Sequence, residues 1–442
     1  MNLTDPGFVL LLLPAAAALY YCCPKKLRTL AICFISAAGV IIIEPVFGAA
    51  ILASAVFDSV TSVCLDKKGS DSPLSATFYL LSMVKDTAAI VIFGVVRPLF
   101  AGEAASPAIL IAHFTLICAL AAQKRGRVAF SSPFVFFGHA VMLGHLPFGP
   151  TADPARTVPT LKTPECSYKK VGEGILLIIF GCAKRVLLAE QLFALYKTLL
   201  RIPTAQMSVA SAWLAALCPA MGICFVFSAY SDIAQGIGMI FGVDIPRMAY
   251  YPFQAKGVRE SVYRLNMALE DSIGNLIFPG WQRDSREYSS LSVSILTPFA
   301  LAIVIGASFD SLLWACWLSS ATAIDWLIQR KFRIPSILLR LSSLIVTVPA
   351  YSLLTGSSLQ KASVLATMFG FGGAPLVNDS FVYQMVSNVL LLVISVVLCS
   401  SLISTLLLWI RRRRPEIWWI ATVISSVPIL VVTVSFMIRN VR

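Results

Sequence analysis

The sequence predicts an all-α, polytopic integral membrane protein, and its composition and patterning carry that prediction. Of the 442 residues, 58% are hydrophobic and only 13% charged, with a mean hydropathy of +0.82. A soluble domain has about 25% charged residues, so this chain has too few polar side chains to cover a water-facing surface. Apolar runs of roughly 20 residues, the length that crosses a bilayer as a helix, recur from end to end.

These apolar runs set the expected architecture. We expect about eleven spanning helices, with re-entrant or interfacial helices between them. The polar insertions are too short to fold alone, so we expect residues 1–442 to form a single transmembrane domain. One of them, Thr151–Lys170, contains three prolines and is predicted to be extended rather than helical. The clearest spanning runs are Phe8–Cys23, Leu30–Phe47, Thr77–Val96, Val171–Leu200, Ser208–Phe227, Leu291–Ala307, Val382–Ile410 and Ile417–Ile438.

The net charge of +13 is distributed as expected for a membrane protein rather than a nucleic-acid-binding protein. Cations stand at the ends of apolar runs, which is the positive-inside pattern. We therefore expect these basic loops on the cytoplasmic side, the N-terminus outside and no nucleic-acid partner. The clusters are Lys25, Lys26 and Arg28; Lys67 and Lys68; Lys124, Arg125 and Arg127; and Arg411–Arg414.

Cysteine and histidine patterns predict neither a disulfide framework nor a metal site. The eleven cysteines form no CxxC pair, and most lie inside apolar runs, where cysteine behaves as a small hydrophobic residue. The three histidines are His113, His139 and His145, and none follows in the remaining two thirds of the chain.

The middle third is too polar to face lipid. Irregular or polar backbone at membrane depth is tolerated when it packs within protein or lines a wet cavity, and intramembrane ionisable groups are functional candidates. For Lys85-Asp86 and Lys184-Arg185 we expect local pairing or placement near a helix end, whereas Asp232 stands among polar residues and glycines. We therefore predict that a cavity is lined by Tyr230, Ser231, Asp232 and Gln235.

A second polar group follows in Arg259–Asn275. Arg259, Tyr263, Asn266 and Glu270 recur at steps of four, three and four, which places them on one face of a helix. We expect a helix with this polar face to lie along a cavity or the membrane interface, and Glu260 stands beside that face.

Five stretches in order resemble the membrane-bound O-acyltransferase family, in the branch that acetylates alginate and similar bacterial exopolysaccharides. The most specific is YSDIAQGIGMIFGVDIPRMAYYPFQAKGVRE at residues 230–260. The others are LLLPAAAALYYCCPKKLRTL at 11–30, FGHAVMLGHLPFGP at 137–150, IIFGCAKRVLLAE at 178–190 and SSLQKASVLATMFGFGG at 357–373.

The resemblance implies a helical body around a central tunnel in the bacterial cytoplasmic (inner) membrane. An acyl donor such as acetyl-CoA or an acyl carrier meets the tunnel from the cytoplasm, with no cofactor bound permanently. The implied partners are an extracytoplasmic acyltransferase protein and a polysaccharide acceptor. A histidine acts as general base on the acceptor hydroxyl.

This chain departs from the family at both expected catalytic histidines. Asn266 stands at the first position and Ile305 at or near the second, and a late family arginine is replaced by Thr355. An asparagine amide does not titrate near neutral pH, so it cannot replace imidazole as a base. A base from elsewhere, namely His145, Asp232 or Glu260, is an alternative.

Three functions stay open on the sequence. The chain is an acyltransferase for an extracellular polysaccharide or cell-wall polymer, with catalysis that is weakened or lost. Alternatively, it is a non-catalytic scaffold or acyl-donor-binding partner in a polysaccharide-modifying complex. The third is a transporter or flippase, for which no internal repeat is evident.

Overall fold

The computed structural model describes residues 3–68, 72–101, 106–145, 153–203, 206–281, 283, 288–306, 308–354, 358–371 and 373–441. Within these ranges all regular secondary structure is helical, which confirms the predicted fold class. The α-helices are α1 Leu13–Cys22, α2 Arg28–Ile43, α3 Gly48–Lys68, α4 Pro73–Val91, α5 Arg97–Ala101, α6 Pro107–Lys124, α7 Pro133–Ala140, α8 Pro154–Lys162, α9 Tyr168–Ala183, α10 Glu190–Leu199, α11 Val209–Phe241, α12 Val258–Leu265, α13 Met267–Ile277, α14 Tyr288–Ile305, α15 Phe309–Lys331, α16 Ser336–Ser352, α17 Ser358–Met368, α18 Asp379–Ser387, α19 Val389–Cys399, α20 Leu402–Arg413 and α21 Pro415–Val441.

Eight helices of the described chain are long and apolar enough to cross a membrane, and the pair α18 and α19, bent by 70°, makes up to nine. Two further apolar helices, Phe8–Cys22 and Ser336–Ser352, are shorter than this, and the number of about eleven spans stays a prediction. The predicted run Val171–Leu200 is a continuous helical path through α9, a π-helical segment Lys184–Ala189 and α10, but it is not among the eight. The eight are Lys25–Ile43, Gly48–Asp66, Pro73–Val96, Pro107–Lys124, Val209–Phe241, Tyr288–Ile305, Phe309–Lys331 and Trp418–Arg439.

Helix α11 is the central element. It is the longest helix described, and two thirds of its most apolar window is buried inside the protein. It packs along α9 at a distance set by glycine: a Cβ built on Gly236 would lie 2.5 Å from the carbonyl oxygen of Gly174, closer than real atoms approach. Small residues permit such close contact between helices in a membrane, where hydrophobicity alone does not bring them together.

Helix α11 ends in a turn that only glycine adopts readily. Gly242 has φ +74° and is the C-cap, after which residues 243–251 have no regular secondary structure. This segment, which we call the linker strand, leads to the short helices α12 and α13. It lies between α11 and the start of α13, where the site described below is built.

The basic loops lie together at the end of the molecule where α11 finishes. Tyr20, at the end of α1, donates to the carbonyl of Phe241 at 2.8 Å, so the turn carrying Lys25 and Lys26 sits beside the α11 terminus. We call this end the basic face. Other contacts that tie its loops together are Thr29 to Leu161 (3.0 Å), Lys162 to Ala129 (2.7 Å), Gln123 to Asp66 (2.8 Å), Arg127 to Asp153 (3.3 Å) and Arg411 to Glu173 (2.5 Å).

The prediction that Thr151–Lys170 is extended is wrong for its central part, which forms α8. Asp153 is the N-cap and accepts from the backbone N–H of Ala155 at 3.1 Å, while Pro154 takes the first helical position. Proline is favoured there because its missing N–H would have had no partner within the helix.

Candidate functional site

The predicted polar residues of α11 are buried and hold the linker strand against the helix. The Ser231 Oγ accepts from the backbone N–H of Met248 at 2.8 Å, and the Gln235 Nε2 donates to the carbonyl of Ile245 at 3.5 Å. Tyr230 is buried in the main core, next to Arg185. These side chains therefore fix a segment that has no regular secondary structure of its own.

Asp232 lies in an ion-paired cluster. Its Oδ2 is 2.5 Å from the Lys184 Nζ, its Oδ1 is 3.8 Å from Arg247, and its side chain is only 5% exposed. Lys184 also donates to the Ser228 Oγ at 3.0 Å. Both carboxylate oxygens of Asp232 lie near cations, so Asp232 is poorly placed to act as a free base.

The local pairing expected for Lys85 and Asp86 is confirmed at 2.7 Å. The same cluster also contains Asp58, 2.9 Å from Lys85, and His113, 2.7 Å from Asp86. For Lys184 and Arg185 the expected local pairing is found only for Arg185, which pairs with Glu190 at 3.0 Å, whereas Lys184 pairs with Asp232 on α11.

Arg259 anchors α12 to α14. Its Nε donates to the Ser294 Oγ at 3.2 Å, and its guanidinium also bonds to Ser290 and to the carbonyl of Arg283 at 3.0 Å. Its backbone N–H donates to Asp325 of α15 at 3.1 Å. Gly257 stands at the N-cap position of α12 and has no side chain that could cap the helix. Asp325 therefore supplies the cap.

Glu260 is committed to a neighbour on its own helix. Its Oε1 accepts from Arg264 at 2.6 Å, and its Oε2 accepts from the backbone N–H of Lys256 at 2.6 Å. Partial burial raises the pKa of Glu260, but these two partners more than offset that effect and hold the pKa below its ordinary value. Glu260 is thus ionised at neutral pH.

Asn266 breaks the helix that we expected to be continuous across Arg259–Asn275. Its backbone is extended (φ −149°, ψ 83°), so α12 ends before it and α13 begins after it. Its Oδ1 accepts from the backbone N–H of Leu269 at 3.1 Å, the bond of an N-cap. The expectation of a single helical face failed because a local side-chain cap is available at this position.

Arg259, Tyr263 and Glu270 nevertheless converge, as the spacing predicted, on Arg283. The Arg283 guanidinium lies 3.7 Å from the centre of the Tyr263 ring, and its Nε is 3.7 Å from the Glu270 Oε1. The Ser294 Oγ donates to that same Glu270 oxygen at 2.9 Å. We call Arg259, Tyr263, Glu270, Arg283 and Ser294 the arginine cluster.

Two acids of α13, which is not among the spanning helices, have perturbed protonation. Burial raises the pKa of Glu270 to about 7, against the opposing effects of Arg283, Ser294 and Arg259. Burial also raises the pKa of Asp271 to about 6, opposed by Arg283 and the Tyr263 hydroxyl. Both groups therefore titrate closer to neutral pH than ordinary carboxylates do.

The linker strand connects the two polar groups. The Met248 carbonyl accepts from the backbone N–H of Met267 at 2.8 Å, so Met248 bonds to α11 on one side and to α13 on the other. The Arg247 and Arg264 guanidinium groups both lie over the ring of Tyr250, at 5.3 and 5.9 Å. Of the eight predicted residues, Ser231, Asp232 and Gln235 contact the linker strand, through Met248, Arg247 and Ile245.

The described part of the chain has small cavities. One lies between α6, α8 and α13 and is lined by residues that include Arg127, Asp153 and Asn275. Another lies between α2 and α11. None of the eight predicted residues lines either cavity, and the tunnel stays a prediction.

The positions of the two expected histidines hold residues with structural roles. Asn266 is a helix cap, and Ile305 ends α14 packed against the main core. Of the three histidines, His113 and His139 are buried in the first third of the fold, and the side chain of His145 and Thr355 lie outside the described residues.

Comparison with known proteins gives one kind of relative. No family model matches the chain. Three curated relatives are probable alginate O-acetylases. The chain is 28% identical over 162 residues to "Probable alginate O-acetylase AlgI" of Pseudomonas aeruginosa, covering 35% of this chain and 30% of that protein. The protein of the same name from Pseudomonas putida is 24% identical over 194 residues, covering 43% of this chain and 39% of that protein. The one from Azotobacter vinelandii is 27% identical over 162 residues, covering 35% of this chain and 31% of that protein. The chain therefore spans about a third of the length of these relatives.

Sequence reasoning missed the partners that complete the site. Lys184 lies 48 residues before Asp232, and Ser294 lies 24 residues after Glu270, so no local pattern joins them. The signal that did exist was the four-residue step from Asn266 to Glu270, which identified the acid but not its surroundings.

Proposed function

We propose that this chain takes part in the O-acetylation, or other short-chain acylation, of an extracellular polysaccharide or cell-wall polymer. The observation that carries the proposal is its similarity to three alginate O-acetylases, since an O-acetylase forms an ester between an acetyl group and a hydroxyl. A polytopic helical body with a buried polar centre is compatible with such transfer across a membrane.

The basic face gives a physical reason for the direction of transfer. We propose that it lies in the cytoplasm of a bacterial cell, with the N-terminus outside the cytoplasmic membrane. Coenzyme A thioesters are polyanions, and a cluster of cations raises the local concentration of such a donor. Acetyl-CoA, or a phosphopantetheine-linked acyl carrier, is then the proposed donor, and an extracytoplasmic acyltransferase the proposed partner.

The test is acetyl transfer by the full chain in proteoliposomes. Acetyl-CoA carrying radiolabelled acetyl is supplied on the side of the basic face, and deacetylated alginate with a periplasmic extract on the other. We expect ester-linked label on the polymer or on an extract protein, above empty liposomes. If no label is transferred and no coenzyme A thiol is released, the proposal is rejected.

A non-catalytic scaffold is the second candidate, and a specific observation favours it. The residues at both expected histidine positions have structural duties, Asn266 as a helix cap and Ile305 in apolar packing. A scaffold predicts saturable acetyl-CoA binding without thiol release by the isolated chain. It further predicts that a separate transferase loses activity when this chain is removed.

A further inference from the structure

Glu270 is a fully buried acid with one oxygen that has no partner. Its side chain is 0% exposed, and no hydrogen-bond partner in the described structure reaches its Oε2. Leaving a buried polar atom unpaired is destabilising, so such an atom calls for an explanation, and a catalytic duty is one of the recognised explanations.

The other oxygen of Glu270 is held in place. The Oε1 accepts from the Ser294 Oγ at 2.9 Å and lies 3.7 Å from the Arg283 Nε. Ser294 in turn accepts from Arg259 at 3.2 Å, so the position of the carboxylate is fixed by side chains from α12, α14 and the segment before α14. One oxygen is thus fixed, while the other is buried without a hydrogen-bond partner in the described structure.

Burial and the charged groups around Glu270 together keep its pKa near neutral pH. Burial raises its pKa to about 7, and Asp271 adds to that rise. Arg283, Ser294 and Arg259 oppose it. From α6, the Arg125 guanidinium contacts the carbonyls at the end of α13, at 2.5 Å from Asn275 and 2.6 Å from Leu276. A base works best when its pKa lies near the working pH.

The other acids of this region are already engaged. Asp232 has Lys184 at 2.5 Å, and Glu260 has a partner on each oxygen. Asp325 accepts from the Arg259 backbone N–H at 3.1 Å and from Gln329 at 2.9 Å. Asp232, Glu260 and Asp325 would each have to break a strong contact before accepting a proton.

We propose that Glu270 is the general base of an acyl transfer carried out by this chain. This inference rests on the proposed function and names the residue that performs the proton transfer. The Glu270 Oε2 takes the proton of the acceptor hydroxyl while the hydroxyl oxygen forms a bond to the thioester carbonyl carbon. The carbon–sulfur bond then breaks, and the proton passes from Glu270 to the departing thiolate. One ester and one thiol are formed, and nothing is oxidised or reduced.

The experiment compares four full-length chains in proteoliposomes: wild type, Glu270→Gln, Glu270→Asp and Asp58→Asn. Asp58 is the matched control, because it is equally buried and also has one oxygen without a partner in the described structure, but it lies in the separate cluster with Lys85. Release of coenzyme A thiol from acetyl-CoA and labelled ester on deacetylated alginate are followed as the pH is varied, and thermal melting reports folding.

We expect the wild-type rate to rise with pH through about 7, as Glu270 loses its proton. Glu270→Gln should lower the rate by about 100-fold or more and abolish this pH dependence, because a positioned base contributes about 10²–10⁴-fold. Glu270→Asp should keep a pH-dependent but slower reaction, and Asp58→Asn should keep the wild-type profile.

The inference is overturned if Glu270→Gln reacts as fast as the wild type, or if the rate of the wild-type protein does not change with pH. Either result leaves the proposed function intact. A wild type that neither releases thiol nor forms ester rejects the proposed function and this inference together. If Glu270→Gln does not fold, the wild-type profile and Glu270→Asp decide the question.

Discussion

Asn266 and Glu270 lie one helical turn apart, and their side-chain oxygens are used differently. The Asn266 Oδ1 accepts from the Leu269 N–H at 3.1 Å, so this oxygen is engaged in starting α13. The Glu270 Oε2 has no partner in the described structure. At the scale of the residue, Asn266 stabilises the site and Glu270 has the chemistry for proton transfer.

The cap predicts a selective effect on stability. Asn266→Ala removes the acceptor for the Leu269 N–H and should destabilise the protein by about 1 kcal/mol. Asn266→Ser retains an oxygen at the same position and should melt close to wild type. Melting of the detergent-solubilised variants measures this, and equal losses in both would argue against a capping role.

Glu270 also predicts how stability depends on pH. Its pKa is raised to about 7 in the folded protein, so the folded chain binds this proton more tightly than the unfolded chain does. Its contribution to stability is fully present below the ordinary pKa of a glutamate and is lost as the pH rises through about 7. The amount lost is on the order of 3 kcal/mol.

Thermal melting between about pH 5 and pH 8 checks that prediction. The wild type should lose more stability over this range than Glu270→Gln, which cannot titrate. The raised pKa of Asp271 acts in the same direction in both proteins, so the difference isolates Glu270. Identical pH dependence in the two proteins would contradict the proposed environment of Glu270.

At the scale of the element, the contact between α9 and α11 positions Asp232. Gly174 and Gly236 meet there backbone to backbone, and Lys184 follows on the same helical path as Gly174. The ion pair between Lys184 and Asp232 requires the two helices to stay this close. A wider separation would take Lys184 away from the buried Asp232 carboxylate, which is destabilising.

Adding a methyl group at this contact should therefore be costly. In Gly236→Ala the new Cβ would meet a backbone oxygen at 2.5 Å, and overpacking of this kind costs about 2 kcal/mol. Gly172→Ala is the control, since Gly172 lies in α9 near Gly174 and a Cβ built on it meets nothing within 4 Å. Melting temperatures should fall for the first variant alone, and equal behaviour would show that the close contact is not needed.

Elements whose residues interact locally were the ones that sequence reasoning could predict. Steps of three and four residues predicted that Arg259, Tyr263 and Glu270 lie on one side, and all three contact Arg283. The break at Asn266 was missed because the periodicity fits a continuous helix equally well. The Asn266 side chain caps a new helix instead, and it can do so only where the chain turns. The start of α8 was missed because Pro154 was read as a helix breaker, although Asp153 before it is a good N-cap.

Long-range partners were beyond the sequence. Arg247 approaches Asp232 because Gly242 turns the chain and the linker strand returns along α11. Arg283 reaches Glu270 because α13 and α14 pack against each other. Each pair depends on the tertiary path between elements, which hydrophobic periodicity does not specify.

At the scale of the whole molecule, the basic loops share one end. Contacts such as Arg411 to Glu173 and Lys162 to Ala129 join loops far apart in the sequence, at the end where α11 finishes. Net positive charge on one end favours its retention in the cytoplasm during insertion. In the proposed orientation, the start of α11 at Val209 faces the outside.

Thiol labelling can test this orientation. Single cysteines at Lys26 and Arg412 mark the basic face, and cysteines at Val46 and Gln206 mark the opposite end, in a background with the exposed Cys22 and Cys316 replaced by serine. A membrane-impermeant reagent should label Val46→Cys and Gln206→Cys in intact cells, and the other two only after permeabilisation. Labelling of Lys26→Cys and Arg412→Cys from different sides would contradict a shared basic face.

The most direct test of the central claim, a role in acylating an extracellular polymer, is the ester content of that polymer in the host organism. The coding sequence is deleted and then restored on a plasmid, and ester-linked acyl groups on the extracellular polysaccharide and cell wall are quantified after mild alkaline release. The account predicts a loss of these esters on deletion and their return on restoration. An unchanged ester content in the deletion strain would contradict it.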